Sequence, residues 1–173
     1  MNLQPLDIVD DRSAFQRWLD GDGPKAKPSY VYVASSWRNP LQQGIVAALR
    51  SVGLQVYDFR APVPGNDGFR WSKIDPQWLG WTPRDWQQAL SHPIAKRGFH
   101  HDKAALGRAD CGVLVLPCGR SAHLEAGYLA GFGKPVFTVA FDHVEPELMA
   151  LLLGPPRNIC TTMNELFDRL GVE

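Results

Sequence analysis

Short apolar runs alternate with amphipathic stretches along most of this chain. Runs rich in valine, leucine and aromatic residues at positions 29–34, 54–57, 112–116 and 136–139 are typical of strands buried in a sheet. The stretches at 41–52, 95–109 and 122–131 repeat their apolar positions at helical spacing. Because strands and helices alternate, we predict one α/β domain, an open parallel sheet of the flavodoxin-like or Rossmann-like kind with helices on both faces.

Capping residues mark several of the predicted helix starts. Asn39 precedes Pro40, a pair typical of an N-cap and first helical position, and Ser121 would cap the helix at 122–131. Thr82 would open a short helix that ends near Leu90. The C-terminal part predicts a short helix at 146–153, a short strand at 158–160, and a last helix at 163–170 capped by Thr161 or Thr162.

Two segments stand apart from this alternation. Residues 1–28 are predicted to be an extension and linker with a short helix at 12–19, so the domain would span 29–173. Within the domain, positions 59–92 form an irregular insertion that is rich in tryptophan and proline. A tract of this length in a compact domain is usually a functional loop, a lid or a subunit contact. Two hypotheses stay open for its aromatic residues: they stack on a flat ligand, or they pack the loop onto the body. These residues are Trp71, Trp78, Trp81 and Trp86.

Composition removes several classes of function. Hydrophobic residues make up 45% of the 173, and 18 basic residues balance 18 acidic ones, so we expect no nucleic-acid partner. There is no run of 18 apolar residues and no pattern of a signal peptide, which predicts no membrane association and a cytoplasmic protein. The three cysteines match no metal-binding spacing, and His100 and His101 would point apart on a helix. We therefore predict reduced thiols and no metal.

The candidate chemistry lies where two predicted strands end. Glu125 follows the second of two turns that should face each other at the carboxyl edge of the sheet, where open α/β sheets bind ligands. One interpretation of Glu125 is an acid that complements its helix dipole. The other is a functional carboxylate in a pocket. The residues of the two turns are the predicted substrate-binding set: Ser35, Ser36, Trp37, Arg38, Cys118, Gly119, Arg120 and Ser121.

Several common catalytic motifs are missing from the sequence. There is no P-loop, no Gly-x-Gly-x-x-Gly after the first strand and no Gly-x-Ser-x-Gly elbow. Cys118 and Arg120 lie too close together in sequence for a phosphate-cradling loop of the thiolate-phosphatase kind.

Residues 29–139 resemble the nucleoside 2-deoxyribosyltransferase family. Positions 32–37, Tyr-Val-Ala-Ser-Ser-Trp, are similar to that family's first strand and turn. An aspartate at position 102, an apolar strand after Asp110, and Glu-Ala-Gly-Tyr at 125–128 before Gly-Lys-Pro-Val at 133–136 follow the rest of its pattern. The resemblance implies cleavage or transfer of an N-glycosidic bond.

The resemblance also implies the residue roles. Glu125 matches the nucleophile that forms a glycosyl-enzyme ester, and Asp102 matches the acid that protonates or orients the departing base. Tyr32 matches the tyrosine that holds the nucleophile. No metal or organic cofactor is implied, the partner is a small-molecule nucleoside or nucleotide, and the protein is expected to form a homo-oligomer, a dimer or larger.

The second turn favours a phosphorylated substrate. Gly119 stands where the family often has an acidic or asparagine-type residue, and Arg120 and Ser121 at a helix N-terminus suit a phosphate. This resembles the branch of the superfamily that cleaves nucleoside monophosphates. Three alternatives stay open: an NAD-type glycohydrolase, a non-catalytic nucleotide sensor, and a structural domain in which Glu125 only caps its helix.

Overall fold

The computed structural model describes residues 27–172 and contains one parallel sheet. Its five strands are ordered β2-β1-β3-β4-β5, and every neighbouring pair is parallel. This is the flavodoxin-like order, so the predicted fold class is confirmed. The strands are β1 (Tyr30–Ala34), β2 (Gln55–Asp58), β3 (Cys111–Val115), β4 (Val136–Val139) and β5 (Ile159–Cys160).

Helices connect the strands and cover both faces of the sheet. They are α1 (Gln42–Ser51), α2 (Pro83–Ala89), α3 (Pro93–Arg108), α4 (Arg120–Gly131) and α5 (Met163–Leu170). Short 3₁₀ turns lie at Trp71–Lys73, Trp78–Gly80, Leu148–Leu152 and Pro156–Asn158. Within residues 27–172, no helix is both long and apolar enough to cross a bilayer. The helix predicted at 12–19 lies outside the described residues.

Two of the predicted caps are wrong and two are confirmed. Ser121 does not cap α4, because Gly119 holds the N-cap position and the helix starts at Arg120. Asn39 does not cap α1, which begins three residues later. Its Oδ1 instead accepts a hydrogen bond from the Leu41 N–H at 2.8 Å. Thr82 and Thr162 do cap α2 and α5.

The C-terminal part also differs from the prediction. The helix expected at 146–153 is only a 3₁₀ turn, Leu148–Leu152, that buries none of its residues fully. An α-helix of this length needs a packed apolar face for its stability, and Leu148 and Leu152 are exposed here.

The two faces of the sheet bury different kinds of side chain. One face, under α1 and α5, carries aliphatic residues, one phenylalanine and the buried cysteines Cys111 and Cys160 from the strands. The opposite face, under α3 and α4, carries Tyr32, Tyr57 and Leu114. The phenol groups therefore enter a core between the sheet and two helices, and they place polar atoms beneath α3 and α4.

Gly112 has no side chain, and this lets α4 lie close to the sheet. Gly112 in β3 pairs in register with Tyr32 in β1. A Cβ atom at Gly112 would lie 2.6 Å from Cδ1 of Leu129, a fully buried residue of α4. Gly112 is therefore needed for the close approach of this helix.

We predict opposite effects for alanine at two glycines. Gly112→Ala should lower the free energy of unfolding by about 1–3 kcal/mol, because the fully buried Leu129 must shift to make room. Gly44→Ala should raise it by about 0.5–1 kcal/mol, because Gly44 is inside α1 and its added Cβ would meet nothing within 4 Å. Urea denaturation of both variants checks this, and equal effects would contradict the proposed approach of α4.

Candidate active site

Side-chain hydrogen bonds tie the loop after β1 to the end of β3. Ser35 Oγ donates to the Val115 carbonyl at 3.1 Å. The buried Asn39 amide donates to the same carbonyl at 3.2 Å and to that of Pro117 at 3.1 Å. The two predicted turns therefore do meet at the carboxyl edge of β1 and β3, which is the topological switch point of this strand order.

Arg60, from the loop after β2, holds the first of these turns. One guanidinium nitrogen donates to the carbonyls of Ser36, Trp37 and Asn39 at 2.9, 3.0 and 3.0 Å. The guanidinium also lies over the rings of Trp37 and Phe59, at 5.6 and 5.8 Å from their centroids. Arg60, which the sequence did not identify, thus links the loop after β2 to the loop after β1, and Ser35 and Asn39 link the latter to the end of β3.

Two tyrosines stack beneath the site. Tyr32 and Tyr57 are paired in register on neighbouring strands, with ring centroids 5.1 Å apart and planes 20° from parallel. The Tyr57 hydroxyl donates to Oδ1 of Asp102 in α3 at 2.7 Å. Tyr57 escaped the sequence analysis because a tyrosine in a short apolar strand is most simply explained by packing. Its position opposite Tyr32 depends on the strand register.

Glu125 occupies a desolvated position on α4. It is the sixth residue of the helix, whereas a capping acid would lie in the first turn. Burial is the largest cause that raises its pKa from 4.5 to about 8, and the nearby charge of Asp102 raises it further. A capping carboxylate accepts backbone N–H groups and has a lowered pKa. The hypothesis that Glu125 only caps its helix is therefore disfavoured.

Tyr32 faces Glu125 without completing a hydrogen bond. Its hydroxyl is fully buried and has no partner of standard geometry among the described residues. Burial, followed by the charges of Glu125 and Asp102, raises the pKa of Tyr32, and the phenol in turn lowers the pKa of Glu125. Tyr32 thus remains a neutral donor aimed at the carboxylate, with capacity to strengthen this contact when Glu125 is ionised.

Asp102 is the second carboxyl of the site. Burial raises its pKa, while the Tyr57 hydroxyl and the nearby His101 partly oppose this shift. Two carboxyls that interact electrostatically titrate as a pair, so the first proton is held more tightly than either group would hold it alone. The pair can therefore supply one carboxylate and one carboxylic acid at the same time.

A cleft of about 410 Å³ opens beside Asp102. It runs between α3 and the first part of the insertion, with Phe59 and Phe69 among its apolar walls. Its volume is within the range of pockets that hold small molecules. Asp102 thus lines the cleft, and its charge also raises the pKa of Glu125.

The remaining predicted binding residues surround the start of α4 and the first turn. Cys118 does not carry a reactive thiolate, because burial and then the charge of Glu125 raise its pKa to about 11. Its sulfur lies 3.5 Å from Nδ1 of His123. Arg120, Ser121 and Arg38 are exposed to solvent. No cluster of potential metal ligands occurs in the described part of the chain.

Two tryptophans of the insertion contact other residues of the same segment. Trp71 meets Phe69 and Trp81 edge-on, with centroids 4.8 and 5.4 Å apart. The indole N–H of Trp81 donates to Asp75 at 2.6 Å. Trp71 and Trp81 therefore pack within the insertion, and Phe69 in turn lies against Gly98 of α3. The four tryptophans of the insertion are not among the residues that line the cleft.

Comparison with known proteins gives a match only among solved structures. No family model matches the chain, and no curated protein matches it. Among solved structures, it is similar to a 2-deoxyribosyltransferase from the psychrotolerant bacterium Bacillus psychrosaccharolyticus, with 20% identity over 69% of this chain and 78% of that chain and a TM-score of 0.39. A likeness at this score carries no argument about the reaction, which has to rest on the site itself.

The raised pKa of Glu125 predicts how stability changes with pH. Between pH 4.5 and about 8 the folded protein keeps a proton on Glu125 that the unfolded chain has lost, so stability falls as pH rises. This group contributes a slope of up to about 1.4 kcal/mol per pH unit. Urea denaturation from pH 5 to 9 should therefore show a flatter decline for Glu125→Gln than for the wild type.

The exposed cap Glu165 provides the matched control for this experiment. Its pKa is lowered by hydrogen bonds from Thr161, so it is ionised in both states above pH 5. Glu165→Gln should shift the stability curve without changing its slope. Parallel curves for the wild type and Glu125→Gln would contradict a desolvated carboxyl at position 125.

Proposed function

We propose that this protein cleaves or transfers the N-glycosidic bond of a nucleoside or nucleotide through a glycosyl ester on Glu125. The observation that carries the proposal is the pair of partly buried carboxyls, Glu125 and Asp102, each faced by a buried tyrosine. A displacement at an anomeric carbon needs a carboxylate nucleophile and an acid for the leaving group, and the pair can supply both.

The proton of the pair lies on Glu125 in the free protein, so the first step begins as this proton passes to Asp102 and leaves the Glu125 carboxylate to attack C1′ of the sugar. The bond from C1′ to the base nitrogen breaks, and its electron pair stays with the base. Asp102 gives its proton to that base, whose departure as an anion would be slow. Tyr32 orients the attacking oxygen, and Tyr57 keeps the Asp102 carboxyl in position through its 2.7 Å hydrogen bond.

In the second step, the ester on Glu125 is released. Asp102, now ionised, takes a proton from water or from the nitrogen of a second base. The acceptor attacks C1′, and Glu125 leaves as a carboxylate. Water gives hydrolysis and a base gives transfer, and both outcomes use the same residues.

The protonation of Asp102 helps to separate this proposal from an NAD-type glycohydrolase. Nicotinamide leaves NAD as a neutral molecule and needs no proton, so an acid near the leaving group would not speed its departure. A carboxyl whose pKa is raised by burial instead favours a base that must be protonated. Asp102→Asn should therefore slow base release from nucleosides but not nicotinamide release from NAD.

Assembly into a dimer or larger oligomer remains part of the proposal. Large exposed apolar side chains on α3, on α4 and at the end of α4 support it, since exposed apolar surface is typical of contacts between subunits. They are Phe99, Leu124 and Phe132.

We expect base release from a panel of nucleosides, nucleoside monophosphates and NAD, followed by chromatography, to depend on both carboxyls. Glu125→Gln should fall to the uncatalysed rate, because an amide cannot form the ester. Asp102→Asn should cost about 10²–10⁴-fold for substrates whose base needs a proton. Intact mass after an acid quench should show the added sugar on the wild type and not on Glu125→Gln.

Glu165→Gln is the matched control, because it makes the same chemical change at an exposed helix cap. It should release base at the wild-type rate. If no compound of the panel releases base but a nucleotide still raises the melting temperature, the protein is a binding module and the proposed reaction is wrong.

A further inference from the structure

The polar groups that are free to bind a ligand in the cleft beside Asp102 are mostly hydrogen-bond donors. Its polar wall includes Asn66, Lys73, Arg97, His101 and Asp102 itself. Whether these groups can donate to a ligand or accept from it depends on which of their atoms already bind other groups of the protein.

The hydrogen-bond acceptors that the insertion contributes to the cleft already bind other groups of the insertion. Asn66 Oδ1 accepts from the Gly68 N–H at 2.9 Å, which leaves the amide NH₂ as the available group. Asp67 is bound by Lys73 and lies 3.6 Å from Arg70. Its carboxylate is therefore neutralised within the loop, and the carbonyl of Gly68 is taken by Lys73 as well, at 2.7 Å.

The hydrogen-bond donors that α3 contributes to the cleft bind no other group within residues 27–172. The Arg97 guanidinium makes no hydrogen bond or ion pair within residues 27–172, and it lies on the cleft wall with Gly98, His101 and Asp102. These positions recur at spacings of three and four, so they share one face of α3. His101 interacts with the charge of Asp102, and a protonated Asp102 would add one more donor.

The insertion is held in place as a wall. A Cβ at Gly98 would lie 2.8 Å from the Cβ of Phe69, so the loop packs directly onto α3. On the other side, a Cβ at Gly68 would lie 2.3 Å from the Phe59 carbonyl and 2.9 Å from the Trp37 ring. Gly68 also has φ +77°, which disfavours any other residue. The wall that carries Asn66 is therefore held at a fixed distance from the face of α3 that carries Arg97.

We propose that this cleft is the subsite for the leaving base and that it selects bases whose edge carries oxo groups, with Arg97 as the residue that determines this specificity. The proposal rests on the proposed function. A flat ring fits between the phenylalanine-lined walls, and its carbonyl oxygens would accept from the free donors of Arg97 and Asn66. A base with an amino group at the same position would leave these donors unpaired, and a site built from donors rejects such a ligand strongly.

The test compares two purines whose edges differ at C6 and in the hydrogen on N1, which only the oxo form carries. Inosine and adenosine, with their 2′-deoxy forms, carry an oxo or an amino group at C6 of the same purine. The wild type should favour the oxo member by about tenfold or more in kcat/KM, as expected for a hydrogen bond to a charged donor. Arg97→Gln should reduce this ratio to about threefold or less, and Arg97→Lys, which keeps a cation, should fall between them.

Arg84→Gln is the control for the removal of an exposed arginine, since Arg84 lies on α2 outside this cleft. It should keep the wild-type ratio. Equal rates on both purines in the wild type, or an unchanged ratio in Arg97→Gln, would overturn the proposal. So would a loss in Arg97→Gln of the preference for 5′-phosphorylated substrates with the oxo preference intact, because the donors would then hold a phosphate.

Binding of the free bases separates this proposal from the reaction itself. Hypoxanthine and adenine can be titrated calorimetrically into the wild type and Arg97→Gln without any turnover. Tighter binding of hypoxanthine that is lost in Arg97→Gln supports the subsite even if no nucleoside is cleaved. Equal affinities for the two bases overturn the subsite even if Glu125 is shown to be catalytic.

Discussion

The contact between Gly112 and Leu129 sets the distance between α4 and the sheet, and the candidate site depends on that distance. Leu129 fills the space above Gly112, which pairs in register with Tyr32. Glu125 lies one helical turn before Leu129 and therefore projects from the same side of the helix. A strand residue with a side chain at position 112 would displace α4 and separate Glu125 from the tyrosine beneath it. A packing constraint in the core thus positions a polar group at the edge.

The same close packing destabilises the folded protein at the site. Glu125 and Asp102 are partly buried and interact electrostatically, and burial raises the pKa of both. Their destabilising effect is opposed by contacts at the loops, where Arg60 binds three carbonyls and Asn39 bridges the ends of two strands. These bonds keep the site walls fixed, so the carboxyls cannot relax into solvent. Proteins commonly keep such locally unfavourable arrangements at functional sites.

Sequence patterns could predict the strands and most helices because burial on a parallel sheet leaves short apolar runs. They failed where two local signals compete. Ser121 is a good capping residue, but α4 begins before it at Gly119, and this moves Glu125 out of the first turn. Tyr57 could not be identified because its role depends on strand register and on where α3 crosses. Arg97 could not be identified either, because only the position of the insertion makes its face of α3 a cleft wall.

The place of the insertion separates the cleft wall from the candidate catalytic carboxyls. It connects β2, which carries Tyr57, to α3, which carries Asp102, so its two ends lie next to the proposed site. Within the segment Lys73 binds Asp67 and the Gly68 carbonyl, while Arg60 and Phe69 fix it to the first turn and to α3. Changes elsewhere in this segment would therefore alter the shape and the donors of the cleft while the hydrogen bond between Tyr57 and Asp102 is kept. A loop fixed in this way can vary the proposed base subsite without disturbing the carboxyls to which we assign the reaction.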